Sequence, residues 1–375
     1  PLTVPTGNLP NQKSGHCMKS TSSVFADEHS PALELTTEMI FQPIVEELEQ
    51  TKVLYEETVL QTAERSYIHR LLCGENQSFL PTEYRVEIAE QIAKHLVMGK
   101  GKWIRAAIVL LCAKACGESN LAARQVAVAV ELVHLATLVH DDIIDQASMR
   151  RGIQSVQAVW GNSVAVLMGD FLLSKAFKLL LASGSVQSQT LLTQATGQMC
   201  LGEIKQLRNA GQEGMSENDY LEMIENKTAS LLSAAAACGG HVCNVSEDLI
   251  ESLHEYGHAV GMAFQISDDI LDYTSSTQIL GKEQGGDLRN GKTTLPLIHL
   301  FHNDGKTAHS ILNSSASIEQ KTRKMLVLMQ EMGSIDYAYQ VGRRYGDSAK
   351  QSLNLLKSER GSSDALLSLY NLVDF

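Results

Sequence analysis

Two short acidic segments have the residue types and spacing that could bind divalent metal ions. Both read Asp-Asp-x-x-Asp, with acids at Asp141, Asp142 and Asp145 and at Asp268, Asp269 and Asp272. On a helix, the first and last acids of such a segment lie on one face. Convergent carboxylates form a hard-oxygen site suited to Mg²⁺, which keeps several waters and completes its coordination with a phosphate. The two segments therefore predict metal ions bound to a phosphate-bearing ligand.

Each acidic segment follows an apolar run, at 126–139 and 260–266. Because an unpaired buried carboxylate is strongly unfavourable, these acids are expected to be paired, protonated or metal-bound. One such segment alone could equally be a solvated helix face or a helix cap. Two copies favour two helices that face each other across a cavity, with metal ions and a polyphosphate between them.

Basic residues near the acidic segments could hold phosphate oxygens. Arg150 and Arg151 follow the first segment by about two helical turns and could bind the same phosphate through bidentate hydrogen bonds. Lys102 and Arg105 lie in a short basic stretch that could also be an ordinary loop between helices. His134 lies two turns before the first acid on the same face, where a lone histidine is usually a satisfied core residue.

Long helices must position these groups, because no proline lies between Pro81 and Pro296 and proline breaks helix interiors. Strand signals are scarce. The predicted fold class is all-α, a single large helical bundle around a central cavity, with residues 1–32 a disordered arm and residues 33–375 one helical domain. Helices are predicted at 33–72 with a break near Pro43, 82–98, 108–116, 122–145, 161–181, 190–207 and 216–237 and over 307–375, with a loop at 183–189 and a Gly-rich loop at 281–292 before a helix that Thr293 opens.

Composition limits the possible partners. A net charge of −12 argues against nucleic acid, so a diphosphate ligand would need cations as mediators. The seven cysteines are odd in number and form no CxxC pair, which indicates free thiols in a reducing compartment and a cytoplasmic location. Cys112 and Cys116 are expected to be core thiols. The sequence has no run of about 20 apolar residues, so no transmembrane segment is predicted. Residues 1–30 lack a transit-peptide or signal-peptide pattern, although a removed upstream segment stays open.

The motifs together resemble a known family. DDIID followed by Arg-Arg-Gly, and DDILD followed by Gly-Lys-Thr-Thr-Leu-Pro-Leu, are similar to the trans-isoprenyl diphosphate synthases, and most similar to the long-chain polyprenyl diphosphate synthases. The resemblance covers residues 35–375. It implies a prenyltransferase that uses two or three Mg²⁺ ions, with Mn²⁺ an alternative, and condenses isopentenyl diphosphate head to tail with an allylic diphosphate in trans. It also implies the isoprenoid synthase fold, a homodimer, and peripheral membrane contact for product release.

The resemblance assigns roles residue by residue. The metal ligands it implies are Asp141, Asp145 and Asp268, and the catalytic residues are these three with Asp142, Asp269, Asp272 and Lys227. The substrate-binding residues are Lys102, Arg105, His134, Arg150, Arg151, Thr228, Gln265, Lys282 and Lys292. Further matches are Gly169-Asp170 and a GExxQ segment at 202–206. Trp103 stands where the family has its first arginine and Ala106 where it has a proline, so the resemblance carries over only Lys102 and Arg105 from this phosphate-binding segment.

Ala136 and Thr137 occupy the positions that limit chain growth in this family. Both side chains are small, which implies an open cavity floor and a long product. Small residues also allow close helix packing, and the two interpretations are compatible.

Several alternatives remain open on sequence. The product could be short-chain farnesyl or geranylgeranyl diphosphate. The chain could be a non-catalytic subunit of a heteromeric synthase, a reading that Trp103 favours and the intact acidic segments disfavour. A class I terpene cyclase would carry a mixed motif in place of the second acidic segment. His254 to His258 match the zinc-protease pattern HExxH, but Gly257 weakens that helix and no completing motif follows.

Overall fold

We describe a computed structural model of the chain for residues 36–60, 87–98, 101–150, 152–209, 214–274 and 285–375. The residues from Thr36 onward group into one compact unit. The arm predicted for residues 1–32 lies outside the described residues.

Helices form nearly all of the described structure, which confirms the predicted all-α class. A 3₁₀ turn at Gln42–Ile44 carries Pro43 and separates the first two helices, where the sequence predicts a break. In chain order the helices are α1 (Thr37–Phe41), α2 (Val45–Leu60), α3 (Glu87–Met98), α4 (Ile104–Cys116), α5 (Leu121–Ile144), α6 (Val156–Trp160), α7 (Asn162–Ser183), α8 (Val186–Asn209), α9 (Glu217–Ile224), α10 (Ser230–His241), α11 (Glu247–Thr274), α12 (Gly286–Arg289), α13 (Leu295–Leu312), α14 (Ile318–Glu331), α15 (Ser334–Arg360) and α16 (Asp364–Asp374).

Helix α10 lies between the two helices that carry the acidic segments. It is rich in alanine and glycine, nearly all of its residues are buried, and it contacts α5 and α11 as well as α4 and α8. Its approach to α11 is close because α11 presents Gly257 and Gly261 there. A Cβ atom on Gly257 would lie 2.4 Å from the Leu232 carbonyl oxygen, and one on Gly261 would lie 2.5 Å from Ala229 Cα. Glycine at these two positions therefore lets the helix backbones touch.

Helix α5 is a long apolar helix of the core. The Asn120 side chain caps its start by accepting from the Ala123 backbone N–H at 3.0 Å, and every residue from Val126 to Val130 is fully buried. By length and composition, α5 could also cross a membrane, which the expectation of no transmembrane segment did not anticipate. More than half of its most apolar stretch is buried against other helices, as in the core of a bundle.

The predicted loop at 183–189 is wrong in extent, because only two residues separate α7 from α8. Gly184 ends α7 with φ +72°, a left-handed conformation that glycine adopts without strain. The Ser185 hydroxyl then accepts from the Ser188 backbone N–H at 3.2 Å and caps the next helix. Farther along the chain, α13 begins at Leu295 after Thr294, two residues later than predicted.

A small antiparallel hairpin follows α5, formed by Met149–Arg150 and Ile153–Gln154. The sequence pattern did not predict it, since each strand has only two residues. Arg150 lies in the first strand, and its position follows from the turn directly after α5, where the Ala147 N–H donates to the Asp142 carbonyl oxygen at 2.9 Å.

Candidate active site

The first acidic segment lies at the end of α5. The backbone N–H of Asp145 donates to the Asp141 carbonyl oxygen at 2.8 Å, which keeps these two residues one turn apart. Asp142 is buried, and one of its oxygens accepts from Arg150 Nε at 2.8 Å and from a terminal guanidinium nitrogen at 2.6 Å. Asp142, at the end of α5, and Arg150, in the first strand of the hairpin, therefore neutralise each other. Asp141 and Asp145 remain as the candidate metal ligands of this segment.

The surroundings of Asp141 favour a bound cation. Burial raises the pKa of Asp141 to about 6, against the opposing effect of Lys227, and the carboxylates of Glu203 and Asp145 raise it further. The positive charge of Arg150 lowers the pKa of Asp141 but does not cancel this rise. An ionised carboxylate in poorly hydrated surroundings, beside two other acids, is stabilised by added positive charge.

Helix α8 supplies two residues that were absent from the predicted site. The nearly buried Glu203 carboxylate forms an ion pair with Lys227, and Lys227 Nζ also donates to Gln206 Oε1 at 3.1 Å. The GExxQ segment was the signal in the sequence that could have identified both. Lys227 is thus held by α8 beside the first acidic segment.

Lys227 and Thr228 lie in a π-helical turn, Glu225–Ala229, between α9 and α10. Such turns are rare and are frequent at functional sites. The two neighbouring residues connect to different acidic helices. Lys227 lies beside Asp141 of α5, whereas the Thr228 hydroxyl donates to Gln265 Oε1 of α11 at 2.7 Å. The π-turn therefore links the two acidic segments.

The middle acid of the second segment is buried, like Asp142 in the first. The two oxygens of Asp269 accept from the Tyr220 hydroxyl at 2.7 Å and from Gln265 Nε2 at 2.9 Å. Burial raises the pKa of Asp269 to about 7, the two hydrogen bonds lower it, and Asp287 raises it again. Tyr220 was not predicted, because nothing in the sequence connects α9 with α11.

The last acid of the second segment is held by backbone donors. Asp272 accepts from the backbone N–H groups of Gly286 at 3.2 Å and Asp287 at 2.9 Å, so it caps the short helix α12. Lys292, predicted to bind substrate, lies close by, with Nζ 3.7 Å from the Asp287 carboxylate. Asp268 is the acid of this segment that faces the predicted phosphate-binding cations.

Asp268 is exposed, and its electrostatic neighbours include Lys102 and Arg105. Nearby protein atoms partly shield the Asp268 carboxyl group from water, and this desolvation raises its pKa. The charges of Lys102 and Arg105 oppose the rise. Trp103, between them in sequence, adopts φ +57° at the start of α4 and packs edge-on against Tyr55, with ring centroids 4.8 Å apart. The predicted Lys-x-x-Arg pair is therefore placed beside the second acidic segment.

Glu131 supports the start of α4 from α5. Its carboxylate accepts from the Ala106 backbone N–H at 3.0 Å, which satisfies a helix-end donor that Trp103 cannot cap. His134 lies one turn farther along α5 and is half-buried. The predicted residues Arg151 and Lys282 lie outside the described residues.

The chain-length positions are both within the bundle. Ala136 is fully buried. Thr137 is half-buried, and its hydroxyl donates to the His134 carbonyl oxygen at 2.8 Å. Because the hydroxyl is bonded to its own helix, the Thr137 methyl group is free to form an apolar surface.

The acids fit Mg²⁺ only with help from a ligand. In the part of the chain that the structure describes, no three His, Cys, Asp or Glu side chains lie close enough to hold a metal ion by themselves. The predicted set of Asp141, Asp145 and Asp268 is therefore divided between two helix ends. Mg²⁺ commonly takes one or two carboxylates and completes its coordination with waters and substrate phosphates. Oxygen donors on two sides of a diphosphate match that requirement.

The HExxH segment is part of the core packing. Tyr256 is fully buried and its hydroxyl donates to the Leu369 carbonyl oxygen at 2.8 Å, while Gly257 contacts α10. Five cysteines lie in the described residues, and all five are free thiols. Burial raises the pKa of Cys112 and Cys116, as expected of core thiols.

An all-helical bundle with two acidic helix ends, joined through a lysine–threonine π-turn, has the form of an isoprenoid synthase. The chain belongs to the polyprenyl synthetase family, whose model matches residues 86–331. It is 35% identical over 276 residues to an octaprenyl diphosphate synthase of Escherichia coli, covering 72% of this chain and 85% of that one. It is also 35% identical over 278 residues to a geranylgeranyl diphosphate synthase of Methanosarcina mazei, covering 73% and 85%.

A solved structure agrees in fold. A polyprenyl synthase from Caulobacter crescentus, complexed with calcium and isoprenyl diphosphate, superposes with a TM-score of 0.78 at 29% identity over 92% of this chain and 98% of that chain. The chain is thus an enzyme of the prenyltransferase class.

Proposed function

We propose that this chain is a Mg²⁺-dependent trans-prenyltransferase that condenses isopentenyl diphosphate head to tail with an allylic diphosphate and makes a long-chain polyprenyl diphosphate. The observation that carries the proposal is the π-turn. Lys227, whose side chain is held by Glu203 and Gln206, lies near enough to the first acidic segment to lower the pKa of Asp141. Thr228 donates to the helix of the second segment, so one turn of backbone lies against both sides of the proposed diphosphate site.

The chain's residues divide the work between two substrates. Asp141, Asp145 and Asp268 would hold Mg²⁺, which when bound stabilises negative charge on the departing diphosphate. Lys227 adds a positive charge at the same place, aimed at charge that develops as the allylic bond breaks. Lys102 and Arg105 hold the isopentenyl diphosphate.

The apolar walls of α5 keep water away from the allylic cation. The double bond of isopentenyl diphosphate attacks that cation, and the released diphosphate takes the proton that is lost. No protein base is needed in this scheme.

The test is a product assay with purified protein, isopentenyl diphosphate and farnesyl diphosphate, with and without Mg²⁺. We expect polyprenyl diphosphates longer than geranylgeranyl, lost when a chelator removes the metal. Products that end at farnesyl or geranylgeranyl length would retain the chemistry and refute the long product. No condensation with any allylic primer would instead favour the non-catalytic subunit, and a partner chain would be sought.

Ala136→Phe is expected to shorten the product to farnesyl or geranylgeranyl length, because the ring would fill the space beneath the acids. Overpacking a buried alanine also costs about 1–3 kcal/mol of stability. Ala308→Phe in α13 is the matched control, since Ala308 is equally buried and outside the site. Chromatography of the products decides: an unchanged product length in Ala136→Phe would rule out this residue as part of the floor.

A homodimer is supported by an apolar surface on α7 and α8. Leu167 and Leu181 are each 68% exposed and lie on one face of α7, and Leu201 and Ile204 of α8 are also exposed. Leu167→Glu with Ile204→Glu is expected to convert a dimer into a monomer in sedimentation experiments. Val53→Glu, at an exposed position of α2, is the control and should leave the dimer intact. A wild-type monomer, or a double variant that stays dimeric, would contradict this assignment.

A further inference from the structure

Tyr220 is a fully buried residue of α9 that no motif identifies. Its ring packs among Met223, Ile224, Ala229 and Ile266. The start of α9 is fixed by a capping box between Ser216 and Asp219. The side-chain hydroxyl is thus held at one point in the core, where it donates to Asp269 at 2.7 Å.

A chain of side-chain hydrogen bonds runs from Tyr220 to the π-turn. Tyr220 donates to one oxygen of Asp269, and Gln265 Nε2 donates to the other at 2.9 Å. The Gln265 amide oxygen then accepts from the Thr228 hydroxyl at 2.7 Å. The four side chains come from α9, α11 and the π-turn, and their contacts connect the second acidic segment with the residue that follows Lys227.

The direction of this chain restricts Thr228. When Asp269 is ionised, both of its oxygens accept, so Gln265 presents its nitrogen to Asp269 and its oxygen to Thr228. The single proton of the Thr228 hydroxyl is then used within the protein, so this hydroxyl cannot also donate to a diphosphate oxygen. What Thr228 does in this arrangement is hold the π-turn against α11.

We propose that Tyr220 is a positioning residue for the reaction, which acts through Asp269 and Gln265 to fix Thr228 and thereby the π-turn backbone from which Lys227 extends. The inference rests on the proposed function, because it concerns the same diphosphate site. Tyr220 touches no substrate in this scheme. Its removal loosens the contact between the π-turn and α11 and so displaces the backbone that carries Lys227, whose side chain is held by Glu203 and Gln206.

Tyr220→Phe removes one hydroxyl, and Tyr256→Phe is a closely matched control. Both tyrosines are fully buried and each donates one hydrogen bond, Tyr256 to the Leu369 carbonyl oxygen away from the acidic segments. We expect kcat to fall about tenfold in Tyr220→Phe, because losing this hydrogen bond displaces the segment that carries Lys227 and small misplacements near the reacting groups lower the rate. The KM for isopentenyl diphosphate should stay within about twofold. Tyr256→Phe should keep wild-type kcat.

A double variant tests whether Tyr220 acts through Thr228. Thr228→Val breaks the same series of hydrogen bonds at its other end. Adding Tyr220→Phe to Thr228→Val should therefore lower kcat by less than about twofold. Multiplicative losses would show that the two residues act separately and would overturn the proposal. An equal kcat in Tyr220→Phe and Tyr256→Phe would overturn it as well.

A binding measurement separates this proposal from the proposed function. Mg²⁺ with inorganic diphosphate should stabilise the wild-type protein against heat, and the gain should be smaller in Tyr220→Phe than in Tyr256→Phe. If the wild-type protein condenses no primer, the proposed function fails. The comparison of the two variants still tests whether Tyr220 positions the diphosphate site. Equal gains in both variants would refute the positioning role.

Discussion

Asp141→Asn is expected to abolish condensation and also to raise the thermal stability of the metal-free protein at mildly alkaline pH. The loss of activity should be about 10²–10³-fold or more, because a carboxylate ligand of the Mg²⁺ that stabilises the departing diphosphate is removed. Stability should rise because the folded protein holds an ionised Asp141 in poorly hydrated surroundings beside Glu203 and Asp145.

The raised pKa of Asp141 determines the pH range in which Asp141→Asn stabilises the folded protein. The pKa of Asp141 is raised in the folded state from 3.8 to about 6, so protonation favours folding and wild-type stability increases as the pH falls through about 6. Two pKa units correspond to about 3 kcal/mol, and partial contact with solvent reduces this to about 1–2 kcal/mol, or roughly 2–4 °C in Tm. The variant's advantage should be largest above pH 6 and disappear below about pH 4.

The comparison needs a carboxylate that has no special environment. Asp347→Asn, on the exposed face of α15, should alter neither activity nor Tm. Calorimetry of chelator-treated protein across pH, with product formation measured in parallel, tests both parts. A lower Tm for Asp141→Asn at alkaline pH, or more than a tenth of wild-type activity, would contradict the assignment.

Lys227→Met is expected to lower both activity and stability, for separable reasons. Activity should fall about 10²-fold because the leaving diphosphate loses a positioned cation. Stability should fall by about 3–5 kcal/mol because Glu203 is nearly buried and would lose its charged partner.

A second substitution separates the two effects. Glu203→Gln added to Lys227→Met removes the unpaired charge, so Tm should recover to near the wild-type value while activity stays low. Lys205→Met, on the helix that carries Glu203, is the control, since Lys205 pairs with the exposed Glu222 and surface pairs contribute about 0–1 kcal/mol. Recovery of activity together with stability would show that Lys227 acts only through folding.

The sequence predicts the helices well where their pattern is long. The proline-free stretch and the apolar run of α5 specify helices, because periodicity over many residues leaves few alternatives. Boundaries are less well determined. The short connection at Gly184 and Ser185 was predicted as a seven-residue loop, since its composition extends into the start of α8.

The two acidic segments show what sequence alone does not distinguish. The two segments have nearly the same amino-acid sequence, yet the structure gives each acid a different partner. Asp142 is neutralised by Arg150 only because the chain turns directly after α5, and Asp269 meets Tyr220 only because α9 packs on α11. Asp272 is held by backbone groups near α12. Such assignments depend on tertiary contacts, so a motif identifies the candidate set and the fold distributes the roles.

The π-turn has a consequence for how this chain can change over evolutionary time. A π-turn contains one residue more than an α-helical turn, so deleting any residue of Glu225–Ala229 would rotate α10 against α9 by about 100°. Gly257 and Gly261 accept the backbone of this segment at one rotational phase only, because their Cα atoms face Leu232 and Ala229 without space for a side chain. Substitutions on the exposed face are compatible with the fold, whereas a single-residue insertion or deletion here would break the helix contact and the active site together.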